Sequence, residues 1–170
     1  SCTNRLGAES YRAMTYVESR KRVRRDLYFL GFGVSRYRNE TLNLRYAHKD
    51  AGDLAAAFEK MKGRKGFRRV FARTYLDEQV TARTIARAKR FLRRARPDDT
   101  FVLFIAGHGV HDRDEQATYY YLTHDADIDR LAETAAPFEL IEGLLQGIAP
   151  RNKLCLMDTC ESGELEEEEE

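Results

Sequence analysis

Three stretches of the chain are apolar without alternation: LYFLGFG (27–33), FVLFIA (101–106) and KLCLM (153–157). A strand with one face in water alternates polar and apolar residues, whereas an unbroken run of this length needs cover on both faces. FRRVFARTY (67–75) alternates enough to supply one more strand. Between the strands lie segments of helical period. AHKDAGDLAAAFEKM (47–61) places Leu54, Phe58 and Met61 on one stripe. TARTIARAKRFLRRA (81–95) is capped by Thr81, turns Ile85, Leu92 and Ala95 inward, and stops at Pro97. FELIEGLLQGI (138–148) has Pro137 at its first turn, and ATYYYLT (117–123) reads as a short extra strand. This alternation predicts an α/β chain: a three-layer sandwich whose mainly parallel sheet is flanked by helices.

Two of the buried runs end in chemistry. FVLFIA continues into Gly107, His108 and Gly109, and KLCLM into Asp158, Thr159 and Cys160. In open parallel sheets, ligands collect outside the carboxyl ends of the strands, so both endings are expected on one edge. A thiol beside a histidine that manages protons is a competent nucleophile, which makes His108 and Cys160 the candidate catalytic pair. The backbone N–H groups of Gly109 and Cys160 are candidates for an oxyanion hole, and Gly163 would let the chain turn away.

Composition limits the alternatives. At 170 residues the chain fits one domain, and 42% hydrophobic with 34% charged residues is a globular balance. No apolar stretch approaches the roughly 20 residues of a membrane span, and no signal peptide is evident, so a cytoplasmic protein without membrane partners is expected. The three cysteines (2, 155, 160) match no zinc or redox spacing and suit a reducing compartment. Cys155 is expected as inert core and Cys2 at a frayed terminus.

The net charge is +1, but without the six glutamates at 164 and 166–170 it is +7. Basic residues cluster at 19–26, 62–69 and 87–96. With no recognised nucleic-acid module and no phosphate-binding glycine motif after the first strand, these clusters read as solvated faces, and nucleic acid is not expected as a partner. Residues 1–26 form a basic N-terminal segment, 27–163 the folded domain and 164–170 an acidic tail.

AGHG after one apolar strand and DTCESG after another resemble the caspase-like fold of clan CD cysteine peptidases (peptidase C14). The similarity is closest to bacterial caspase homologues and metacaspases and spans roughly 27–163. LRYAHKDAGDL (44–54) is similar to the N-D-A helix entrance of metacaspases, with Lys49 in place of asparagine. The resemblance implies a cysteine endopeptidase, with His108 as the catalytic histidine and Cys160 as the nucleophile. It implies that Asp50 and Asp158 line the S1 pocket, and two carboxylates there favour arginine or lysine at P1. Outside such a pair, Asp158 would cap a turn and Asp50 would be a first-turn helix carboxylate.

His111 reads as a solvated loop residue and His124 as structural, while His48, two residues before Asp50 and within reach of the pocket rim, is assigned no role. No cofactor is implied. Calcium, which some metacaspases bind, would have the acidic loops DRDE (112–115) and HDADID (124–129), although neither has EF-hand spacing. The resemblance also implies that the chain is the large-subunit portion, its sheet completed by a C-terminal small-subunit segment of the same polypeptide pairing with KLCLM. SRKRVRR (19–25) is either an exposed self-processing site for such an enzyme or a solvated helix face. The relatives act in bacterial stress, cell death or defence. Two other readings stand beside this one: a silent caspase-like scaffold, and a doubly wound module that binds nucleotide or nucleic acid.

Overall fold

The computed structural model describes residues 24–64, 66–112 and 117–161, with the backbone alone at Cys160 and Glu161. The basic run at 19–23, Cys2, most of the 112–115 loop, Gly163 and the acidic tail lie outside the described residues.

Among the described residues six strands form one sheet: β1 (Arg25–Gly33), β2 (Phe67–Leu76), β3 (Thr100–His111), β4 (Tyr119–Tyr121), β5 (Ala136–Pro137) and β6 (Asn152–Glu161). β2, β1, β3 and β6 run parallel in that spatial order. β3 outlasts β1, and beyond Ala106 its free flank takes up β4 antiparallel, to which β5 adds. The helices are α1 (Ala47–Glu59), α2 (Ala82–Ala88), α3 (Leu131–Thr134) and α4 (Phe138–Leu145).

Two of the continuous apolar runs, 27–33 and 101–106, do what their patterning requires, and KLCLM (153–157) does not: Leu154, Cys155 and Met157 are exposed. On β3, Phe101, Leu103 and Ile105 pack with Ile85, Leu92, Ile141 and Leu144 from the α2 and α4 side. Val102, Phe104 and Ala106 pack with Ala47 and Ala51 of α1 on the other face. Each large side chain so buried contributes about 1.5–3 kcal/mol. The expected three-layer α/β sandwich with its mainly parallel sheet is therefore observed.

Four local expectations are corrected. Both reactive segments lie inside strands rather than past their ends, because β3 and β6 keep pairing with each other up to Gly109 and Glu161. Cys155 is exposed, since among the described residues β6 pairs with β3 alone and its faces are only partly covered. Burial of part of its surroundings still pushes its thiol up, away from thiolate. The second helix ends as α-helix at Ala88 and tightens into a 3-10 turn over Lys89–Leu92. Like charges at Arg90, Arg93 and Arg94, three and four residues apart, oppose its continuation. Pro137 stands just before α4 as its N-cap, with extended backbone.

The lower end of the sheet is closed by Asp26, which is 1% exposed. Its carboxylate accepts from the guanidinium forks of Arg68 and Arg69, and its N–H donates to Asp99 at 2.8 Å. The hydrogen bond from Arg68, supported by Arg69, outweighs desolvation and holds the Asp26 carboxyl far below the usual range. A carboxyl lowered by folding stabilises above its unfolded pKa, near 3.8, and that stability fades as pH falls below it. Asp26→Asn is expected to cost about 2–3 kcal/mol at neutral pH. Urea unfolding at pH 7 and pH 3 checks this: the gap between wild type and variant should shrink at the lower pH.

Candidate active site

His108 and Cys160 are 52 positions apart in sequence and stand opposite each other in the parallel β3–β6 ladder. Neighbouring strands lie about 4.8 Å apart, so the ladder brings the two backbones to adjacent positions. This pairing follows from register: Thr100 faces Asn152, and the match holds residue for residue to Gly109 and Glu161.

The His108 ring is oriented from the opposite side by the loop after β1. Its Nε2 lies 2.9 Å from the carbonyl oxygen of Leu42. A carbonyl only accepts, so Nε2 carries the hydrogen and donates, and Nδ1 is the nitrogen left for proton exchange. Leu42 is buried in a short 3-10 turn (Glu40–Leu42) capped by the Asn39 side chain. The same loop supplies Tyr37, whose hydroxyl accepts from the His108 N–H at 2.9 Å and whose ring lies 5.3 Å from the imidazole. Burial pushes the Tyr37 phenol up, so it stays neutral.

That loop is itself fixed. Asp77, buried at the end of β2, accepts from the N–H groups of Ser35 and Arg36. Asn43 accepts from the Tyr37 N–H, and the Ser35 hydroxyl accepts from the N–H of His48 at the entrance to α1. The imidazole of His124 sits 2.6 Å from the carbonyl of Arg36, a structural role as the sequence suggested. His111 closes β3 and meets the carbonyl of Ala117 at 2.8 Å.

Both glycines around His108 have packing reasons. Gly107 adopts φ of 148°, and a Cβ there would meet the Tyr37 hydroxyl at 2.9 Å and the Tyr121 ring at 3.1 Å. At Gly109 a Cβ would fall 1.8 Å from the Tyr119 hydroxyl. Tyr119 can lie across that backbone only because no side chain is present. Its hydroxyl reaches Thr159 on β6 at 2.7 Å, tying the β4 side to the residue before Cys160.

Asp50 and Asp158 line one cleft of about 470 Å³, together with Asp53, Leu54, Ala57 and Phe104. Asp50 comes from the first turn of α1 and Asp158 from β6, two positions before Cys160. The third carboxylate, Asp53, pairs with Lys49 one turn back, which raises the lysine's pKa and keeps it charged. Sequence reading singled out His108, Cys160, Asp50 and Asp158, and missed Tyr37, Asp53, Tyr119 and the Leu42 carbonyl. The run of tyrosines at 119–121 was visible as a strand; a backbone carbonyl leaves no trace in residue identity. Among the described residues, no group of three or more His, Cys, Asp or Glu is placed to hold a metal ion. No helix among them is long and apolar enough to cross a membrane.

The family model described as the caspase domain, peptidase C14, matches residues 30–170. Among curated proteins none matches the chain. The crystal structure of protein GSU0716 from Geobacter sulfurreducens is similar in fold, with a TM-score of 0.61 and 19% identity. The match covers 82% of this chain and 52% of that one, so the chain spans about half the length of that protein.

Two outcomes follow from this geometry. In ¹⁵N NMR spectra of the neutral imidazole, His108 should appear as the Nε2–H tautomer, and an Nδ1–H signal would contradict the Leu42 contact. Gly107→Ala should lower stability by about 2 kcal/mol or more, read as a drop in Tm, because strained φ and the tyrosine contact act together.

Proposed function

The chain belongs to the peptidase C14 family, the caspase-domain proteins, and from that premise we propose that it is a cysteine endopeptidase cutting after arginine or lysine with a His108–Cys160 dyad. The observation that carries this reading is the β3–β6 register, which sets His108 opposite Cys160 while Asp50 and Asp158 share a cleft.

The reaction proceeds as an acyl transfer. The Cys160 sulfur, as thiolate, attacks the scissile carbonyl carbon, and the carbonyl π pair moves to oxygen. Backbone N–H groups of Gly109 and Cys160 serve the oxyanion. When the intermediate collapses, the C–N bond breaks and Nδ1 of the His108 imidazolium gives its proton to the departing amine. Water then attacks the thioester carbonyl carbon while giving a proton to the same nitrogen, the C–S bond breaks to release the acid product, and the thiolate–imidazolium pair is restored. Leu42 matters throughout, because an imidazolium anchored at Nε2–H presents its second N–H in a fixed direction.

The cleft sets P1. Asp50 and Asp158 project from different elements, so a guanidinium or ammonium between them meets charge from two sides. An acidic P1 would be repelled. Nothing in this reading requires a cofactor; calcium would act through the acidic loops and not on the reacting atoms.

β6 is suited to a further partner. Among the described residues it pairs with β3 alone, and Leu154 and Met157 are 47% and 39% exposed. An apolar edge of this kind takes up another strand. The small-subunit segment of the same polypeptide is the proposed occupant. Bacterial regulated proteolysis, with self-processing of the longer polypeptide, is the setting this reading fits.

Peptides differing only at P1 (Arg, Lys, Asp) test the proposal, using the full polypeptide with and without calcium. Arg and Lys peptides should be cut, and Cys160→Ala should abolish cleavage. Asp50→Asn and Asp158→Asn should each lower kcat/KM on the Arg peptide on the order of 10- to 100-fold. Cleavage after Asp would overturn the pocket assignment, and silence on every peptide would favour the scaffold reading.

A further inference from the structure

A second concave site lies on the other side of the sheet, among arginines the proposed chemistry does not use. Arg69 and Arg73 reach into it from β2, and Arg90, Arg93 and Arg94 from the 3-10 turn after α2 and the residues beyond. The cleft has a volume of about 640 Å³, within the range of small-ligand sites. Tyr28 and Phe101 are register partners at its level, seven residues before His108 on β3, or about 23 Å along the strand. The cleft is therefore separate from the reactive edge and does not depend on the peptidase reading.

We propose that this arginine cleft is a binding site for a compact oligophosphate, a chain of contiguous phosphate groups either free or carried by a nucleotide.

Three observations converge. The first is charge without compensation. Arg69 is tied to Asp26, but among the described residues no carboxylate lies within ion-pair distance of Arg73, Arg90, Arg93 or Arg94. Four like charges gathered around one concavity are best relieved by an anion that meets several of them at once. The second is residue type. All five cations are arginines, whose planar forks donate to phosphate in pairs, and no lysine lines the cleft.

The third is preorganisation. The Arg69 guanidinium carbon sits 5.1 Å over the Phe71 ring, and that of Arg73 sits 5.1 Å over Phe91. Phe71 stacks in turn on buried Tyr28 at 4.9 Å, and Phe91 meets the same tyrosine edge-on at 5.6 Å. Rings at these distances attract the guanidinium and restrict its orientation, so less freedom is lost when an anion arrives. Arg69, Phe71 and Arg73 alternate on one face of β2, which is how one strand provides both the forks and a ring beneath them.

The same features separate oligophosphate from a nucleic-acid strand. A single strand needs an extended basic track and open aromatic faces on which bases stack. Here the cations converge on a bounded cleft, and guanidinium groups already cover Phe71 and Phe91.

Isothermal titration calorimetry of the full chain at low salt tests the site, with sodium tripolyphosphate, orthophosphate, magnesium-free ATP and a single-stranded oligonucleotide as probes. Tripolyphosphate should bind saturably at one site and orthophosphate about tenfold or more weaker. Arg73→Gln and Arg93→Gln, each exposed enough to leave folding intact by thermal melting, should weaken tripolyphosphate binding by about tenfold. Arg83→Gln, on the exposed side of α2 and outside the cleft, should leave it unchanged. ATP binding as tightly as tripolyphosphate, and displacing it, would assign recognition to phosphate alone; tighter ATP binding would point to a nucleotide. Absence of saturable binding, an equal loss in Arg83→Gln, or binding of the oligonucleotide alone would overturn the proposal.

Discussion

Everything at the reactive edge depends on the register between β3 and β6. The two strands run parallel for ten consecutive pairs, from Thr100 opposite Asn152 to Gly109 opposite Glu161. A slip of one residue would set His108 against Thr159 or Glu161 and would turn the carboxylate of Asp158 away from the face of α1. The register is held where sequence and packing agree. Phe104 packs inward beside α1 and shares a cleft with Asp158, and Tyr119 ties itself to Thr159 across Gly109.

A second layer of order converges on His108 from the loop after β1. Asp77, at the end of β2, fixes the N–H groups of Ser35 and Arg36, and that anchor allows Tyr37 and Leu42 to meet the histidine from a different direction. Three strand ends thus act on one residue: β1 through its loop, β2 through Asp77, and β3 through its own backbone. An imidazole attached by a flexible side chain becomes a group of defined orientation because both its backbone and its ring are held.

Much of this was legible in the sequence. The unbroken apolar runs 27–33 and 101–106 announced strands covered on both faces, and the helical stripes between them announced the layers. His108, Cys160, Asp50 and Asp158 stood out because each follows a pattern that placed it at a strand or helix end. Other features were out of reach for physical reasons. KLCLM looks as buried as FVLFIA, yet Leu154, Cys155 and Met157 are exposed, because hydrophobicity does not say whether a strand lies at the centre or the edge of its sheet. Gly109 reads in the sequence as the source of an unhindered backbone N–H beside His108; the structure adds a steric reason for the glycine, the bulk of Tyr119, a partner ten residues away that no local pattern names. The arginines at 87–96 were read as a solvated face, and only the fold brings three of them to Arg69 and Arg73.

The contact between His108 and the Leu42 carbonyl has an evolutionary consequence. The accepting atom belongs to the peptide unit, so any residue able to sit at position 42 preserves it, and identity there is free to drift. Chain length is not free. Adding or removing one residue between Ser35 and Leu44, whose mutual hydrogen bond closes the loop, would carry the carbonyl away even if every named residue were retained in the sequence. Among descendants of such a chain, loss of this orienting group would be recorded as a gap in an alignment and never as a substitution.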